Sequence, residues 1–224
     1  MSLRYNKLAD VTICAYMRLQ HASIQQENLE DMACFTPDEL KLLPPETQIL
    51  EIGCGQRPVW AQSKTLDINP ASKATVIHDL SEFPYPFEDN TFDYVVAEHV
   101  LEHLRPVLPV LDELHRIIKP TGQLRIEVPH YTSFHYWTDP THQTPFGIGT
   151  LDYIVPIPSG GGVYQFHYSK FDWRKISVQL NGPMHNGFHR ALTRYFNAHQ
   201  SGYEMRIAPL FQRDSINFVI QPIK

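Results

Sequence analysis

Between residues 48 and 128 apolar positions cluster in short runs, and polar, glycine- or proline-bearing stretches separate them. Runs this short, bounded by turn residues, predict strands at 48–52, 64–67, 75–78, 92–97 and 123–128. The spacing changes between the last two. Leu108, Leu111, Leu114 and Ile118 recur at helical intervals, which predicts a helix over 107–118 that Lys119-Pro120-Thr121-Gly122 ends. Strands alternating with longer connections predict a parallel sheet with helices on both faces.

The flanks carry different patterns. Leu8, Val11, Ala15 and Leu19, then Leu29, Met32 and Ala33, predict helix across 8–43, with Thr36-Pro37-Asp38-Glu39 as a helix start. Pro44-Pro45 stops it before the first strand. After the fifth strand, 171–180 and 215–222 alternate as strands around a helix at 187–198. Between lies a segment, about 130–168, dense in His, Tyr, Trp, Pro and Gly. A long loop of this kind is usually functional. The 224 residues read as a single domain: a helical cap (1–45), a ligand-binding core (46–129), a substrate-loop insert (130–168) and C-terminal strands with a helix (169–224).

Composition narrows the classes. Hydrophobic residues make up 42%, enough for a sizeable core, and the formal net charge of −5 argues against general nucleic-acid binding. No apolar run approaches the ~18 residues of a membrane span. No signal-type apolar stretch follows Met1-Ser2-Leu3-Arg4, so the expected location is the cytoplasm. Cys14, Cys34 and Cys54 form no C-x-x-C pair and read as buried thiols, Cys54 as a small loop filler.

Glu51-Ile52-Gly53-Cys54-Gly55 closes the first strand, and Asp67 closes the second. Glycines at a strand end let backbone approach a ligand, and an acid at the next strand end accepts ribose hydroxyls. That much suits a nicotinamide-dependent oxidoreductase as well as other nucleotide-like sites. Pro58 stands where the dinucleotide fingerprint has its third glycine, so the pyrophosphate reading loses support.

Further stretches extend the pattern: His78-Asp79-Leu80, Pro86 to Val96, Glu98-His99-Val100-Leu101-Glu102-His103-Leu104, and Leu114 to Leu124. With the first glycines, these resemble the class I S-adenosylmethionine-dependent methyltransferases of the small-molecule type, related to ubiquinone and sugar methyltransferases. The resemblance covers about 47–128. It implies a Rossmann-like seven-stranded sheet, mostly parallel with a reversed last strand. It also implies S-adenosylmethionine as cofactor, methyl transfer to an O, N or S atom of a small molecule, and roles for particular residues. Gly53 and Gly55 would wrap the methionine part, and Glu51 would position that end. Asp67 would hold the ribose hydroxyls, Asp79 would face the adenine amino group and Leu80 would pack on the ring. Glu98 would lie near the methionyl end. Arg57 replaces a frequent family glycine and could reach the cofactor carboxylate. A non-catalytic module that keeps the fold as a scaffold is the alternative from another class.

The insert carries the substrate question. In one reading His130 or His142 is the general base. In a second, which ranks lower, His130, Asp139 and His142, with His135 or His167, bind a divalent metal. In a third, Asp139 caps the Pro-Thr-His turn and the histidines fix the loop. Tyr131, Tyr136, Trp137 and Asp139 are the candidate substrate contacts, and Gly160–Gly162 is a candidate lid tip. His185 and His189 are near enough in sequence to join the pocket, and Tyr5 and Tyr16 are weak cofactor candidates. The pair His99 and His103 has helical spacing and reads as packing or capping ahead of metal binding. The acceptor and the oligomeric state are open.

Overall fold

The computed structural model describes residues 43–56, 58, 63–156, 168–183 and 186–224. The expected N-terminal helices, Tyr5, Tyr16, Arg57, Gly160–Gly162, His167 and His185 lie outside them.

Seven strands form one sheet in the order β3-β2-β1-β4-β5-β7-β6. They are β1 (Ile49–Ile52), β2 (Lys64–Asp67), β3 (Val76–Ile77), β4 (Phe92–Glu98), β5 (Ile118–Pro129), β6 (Asp172–Asn181) and β7 (Ser215–Ile223). The first five pair in parallel. β7 runs antiparallel to both β5 and β6. This is the mostly parallel sheet with a reversed last strand that the sequence led us to expect. All four residues of β1 are buried, as befits a central strand covered on both faces.

Helix α1 (Leu108–Ile117) starts with a proline in its first turn and buries Val110, Leu111, Leu114 and Ile117. The chain enters β5 directly from it. Ile118 pairs with Phe92 and Gln123 with Tyr94. Residues 119–122, expected to end the helix, therefore bulge opposite Asp93, whose carboxylate accepts from Lys119 Nζ at 2.9 and 2.8 Å. The last helical region holds two helices, α3 (Gly187–Ala198) and α4 (Gln200–Arg206). α3 has the expected bounds, whereas α4 was missed because its short, polar sequence carries little apolar periodicity. Asn186 caps α3 by accepting from His189 N.

The insert is more structured than a loop. His130 forms an isolated bridge with Phe146. Between them runs the short helix α2 (Phe134–Thr138), capped by Ser133, which accepts from His135 N. A 3-10 turn follows at Thr150–Ile154. Phe146 is fully buried and packs toward Phe218 of β7, so the insert is anchored in the core. Among the described residues no helix is long and apolar enough to cross a membrane.

Candidate cofactor and substrate site

β1 lies beside β4, and the connections from their C-terminal ends lead in opposite directions, to β2 and to β5. Such a switch point opens a crevice where α/β folds bind ligands. Here the crevice is a cavity of about 230 Å³ bordered by Gly53, Asp67, Asp79, Leu80 and Val100. Its floor is a tightly bonded loop. Gly53 N donates to Leu66 O at 2.7 Å and Lys73 N to Gly55 O at 3.0 Å. Asp67 Oδ2 accepts from Gly55 N at 2.7 Å and Oδ1 from Asn69 N at 2.8 Å. A carboxylate has about four acceptor sites. Asp67 can thus hold the loop and still accept from a ligand.

Gly53 has φ +67°, and a Cβ there would lie 2.3 Å from Val100 Cγ2. Gly55 has φ +57°, but among the described residues a Cβ would meet nothing within 4 Å. Only Gly53 combines the left-handed backbone with direct packing against a wall of the cavity. Asp79 stands at the far side, with Oδ1 accepting from Ser81 N at 2.8 Å. Glu51 and Glu98 are buried near the ends of β1 and β4, behind the residues that border the cavity.

The polar wall opposite contains the His99 and His103 pair, which the sequence led us to read as packing or capping, and two residues that it did not single out. His99, His103, Arg105 and Gln143 border the same cavity. His99 and His103 do not share a helix: His99 has φ +53°, and a 3-10 turn at Leu101–His103 follows. Helical spacing was therefore the wrong guide to this pair. His99 Nδ1 lies 3.3 Å from Glu102 Oε1, and its Nε2 lies 3.9 Å from Glu127 Oε1. Burial alone would lower the His99 pKa. The hydrogen bond with Glu102 and the charges of Glu102, Glu127 and Glu98 outweigh that and raise it. Burial pushes Glu127 up to about 7, against the pull of His99 and with the push of Glu98.

Both shifts have the same sign for stability. Folded Glu127 keeps a proton that the unfolded chain releases near 4.5, so its contribution is complete below that pH and is lost as pH rises through about 7. The raised His99 extends the loss above its ordinary 6.5. Glu127→Gln, which can still accept from Ser215 Oγ, should gain stability relative to the native protein as pH rises from about 5 to 8. Thermal melts at both ends of that range check it. A difference independent of pH would contradict it.

The insert residues fall into two groups. His130 is fully buried, with Nδ1 2.7 Å from Thr132 Oγ1 and Nε2 3.3 Å from Glu204 Oε1. Tyr131 lies beside it, and the Tyr131 carbonyl accepts from the indole of exposed Trp137. His142 sits instead with Tyr136, which stacks on its ring, with His103 at 4.6 Å between ring centres, and with Asp139. The structure thus joins Asp139 to His142 and places His130 in a different cluster. Asp139 also caps its turn, with Oδ1 accepting from Thr141 N at 2.8 Å. Gln143 N and Thr144 N donate to Glu102 O at 2.8 and 3.0 Å, which docks the insert on the turn after β4.

Comparison with known proteins agrees with this architecture. Residues 50–126 match the family described as a methyltransferase domain. A demethylmenaquinone methyltransferase of Lysinibacillus sphaericus is 28% identical over 118 residues, which are 50% of this chain and 44% of that protein. The chain thus spans under half the length of that relative. One from Listeria welshimeri is 22% identical across 73% of this chain and 65% of its own length. Two solved structures share the fold. One is an S-adenosylmethionine-dependent methyltransferase from Archaeoglobus fulgidus, with TM-score 0.50, 20% identity, and 95% and 94% of the two chains covered. The other is a complex of the Haloferax volcanii Trm112 methyltransferase activator with a methyltransferase, with TM-score 0.56, 12% identity, and 98% and 100% covered.

Proposed function

We propose that this chain is a class I S-adenosylmethionine-dependent methyltransferase that transfers a methyl group to an oxygen, nitrogen or sulfur atom of a small molecule. The observation that carries the reading is the cavity at the switch point, with Gly53 and Asp67 on one side and a histidine-bearing wall on the other.

The residues present fit the cofactor. Gly53 lacks the Cβ that would collide with Val100, so its backbone borders the cavity directly. Asp67 has acceptor capacity for ribose hydroxyls beyond its two backbone bonds. Asp79 and Leu80 stand together on the same cavity, as an adenine-binding pair requires. S-adenosylmethionine bound there would supply an activated methyl group on a positively charged sulfur. The protein's own part is alignment, exclusion of water and accommodation of the acceptor's proton. That proton leaves on the polar wall, where His103 borders the cavity and His142 stands behind it. His130, bonded through both ring nitrogens within the fold, has the weaker claim as base.

The test is a panel of acceptors carrying phenol, amine and thiol groups, read by release of S-adenosylhomocysteine. A quinol belongs in the panel because the curated relatives named above are demethylmenaquinone methyltransferases. Release that depends on one acceptor class supports the proposal. Protein that binds the cofactor but turns over no acceptor would favour the non-catalytic reading.

A further inference from the structure

Behind the polar wall of the cavity, four side chains from two distant segments converge. Glu102 and His103 come from the turn after β4, and Asp139 and His142 from the insert. One ligand atom each from Glu102, His103 and His142 lie within 4.8 Å of one another. His142 Nε2 is 3.7 Å from Asp139 Oδ2 and 4.0 Å from Glu102 Oε1. The side chains of Glu102, Asp139 and His142 are at most 1% exposed. Yet, among the described residues, Glu102 Oε2, Asp139 Oδ2 and His142 Nε2 have no hydrogen-bond partner.

We infer that these four residues form a binding site for one divalent transition-metal ion of the Zn²⁺ type. The hydrogen bonds around the cluster set both histidines as ligands. His142 Nδ1 donates to Tyr136 O at 2.8 Å, which leaves Nε2 as the ring nitrogen that faces the two carboxyl groups. Thr141 Oγ1 donates to Asp139 Oδ1 at 2.6 Å, because a carboxylate only accepts. The same hydroxyl then accepts from His103 Nδ1 at 2.8 Å, which leaves Nε2 as the ring's ligand atom. A metal-ligating imidazole typically has its other nitrogen tied in this way.

Distance and charge point in the same direction. An imidazolium paired directly with a carboxylate closes to roughly 2.7–2.9 Å, well short of the separations seen here. Ligand atoms held roughly 2.0–2.2 Å from one tetrahedral ion lie roughly 3.3–3.6 Å apart, so an inward shift of about 1 Å by the three ligand atoms that already lie within 4.8 Å, with Asp139 following from beside His142, would seat it. Two buried carboxyl groups brought into one cluster also favour a cation between them, and a dication supplies it. Two imidazoles with two carboxylates are ordinary zinc ligands, and four protein ligands make a closed, structural site. The ion clamps the insert to the turn that carries His103, and with it the wall of the cavity.

The site shares His103 and His142 with the proposed proton path, so a bound ion would leave the acceptor's proton to another group on the wall; its test reads metal binding and needs no turnover. Protein stripped with a chelator is titrated with Zn²⁺ by calorimetry and with Co²⁺ by visible absorption, with folding checked by circular dichroism. One equivalent is expected, with the absorption bands of tetrahedral Co²⁺ and a rise in melting temperature on adding Zn²⁺. Glu102→Gln and His142→Gln should each weaken binding by about 100-fold or more. Asp139→Asn provides a milder variant should those fold poorly. Glu204→Gln, which alters the His130 cluster and the bond from Ile148 N but touches none of the four ligands, should bind as the native protein does. Folded native protein that takes up neither ion overturns the assignment. So does an equivalent of metal that survives both Glu102→Gln and His142→Gln.

Discussion

Gly53→Ala is expected to abolish detectable cofactor binding while leaving a folded but weakened protein. The φ of +67° is a conformation that costs an L-residue about 1–2 kcal/mol. The added Cβ would also sit 2.3 Å from Val100 Cγ2, so Val100 must move, and Val100 is a wall of the cavity. β-branched side chains have few alternative rotamers, which leaves displacement of the wall as the way out. Gly55→Ala is the internal control. It carries similar backbone strain without a collision, so its loss should be confined to about 1 kcal/mol of stability. Calorimetric titration and thermal melts of the two variants make the comparison. Gly53→Ala with an affinity within about threefold of the native protein, under 0.7 kcal/mol, would contradict the placement of the cofactor.

Asp67→Ala should weaken cofactor binding by about 1–3 kcal/mol through the lost bonds to the ribose, and by more if the loop collapses. The added loss arises because Asp67 also accepts from Gly55 N and Asn69 N, and alanine leaves both donors without their acceptor. Asp67→Asn separates the two effects. It retains one carbonyl oxygen for the loop but places an NH₂ donor where an acceptor is needed. If Asp67→Asn binds as tightly as the native protein, Asp67 serves the loop alone.

The strand pattern was legible because buried parallel strands are short apolar runs, and β2 and α3 have the bounds that their sequences suggested. That Gly53, Asp67, Asp79 and Leu80 come together on one cavity was legible for a related reason: they sit at or just beyond strand ends, where local sequence and position in the sheet coincide. The insert was not. His130, Asp139 and His142 are close in sequence, yet the bridge from His130 to Phe146 turns His130 into the fold. The bonds from Gln143 N and Thr144 N to Glu102 O carry Asp139 and His142 to a turn some forty positions earlier. Such long-range docking leaves no periodic trace. The partnership of His142 with Glu102 and His103 became visible only in three dimensions.

One measurement bears most directly on the central claim, that the cavity between Gly53, Asp67 and Asp79 is the S-adenosylmethionine site. Calorimetric titration of the folded protein with S-adenosylmethionine and with S-adenosylhomocysteine should give one site for each, weakened by Asp67→Ala. Absence of binding by both compounds, in protein shown to be folded, would contradict it.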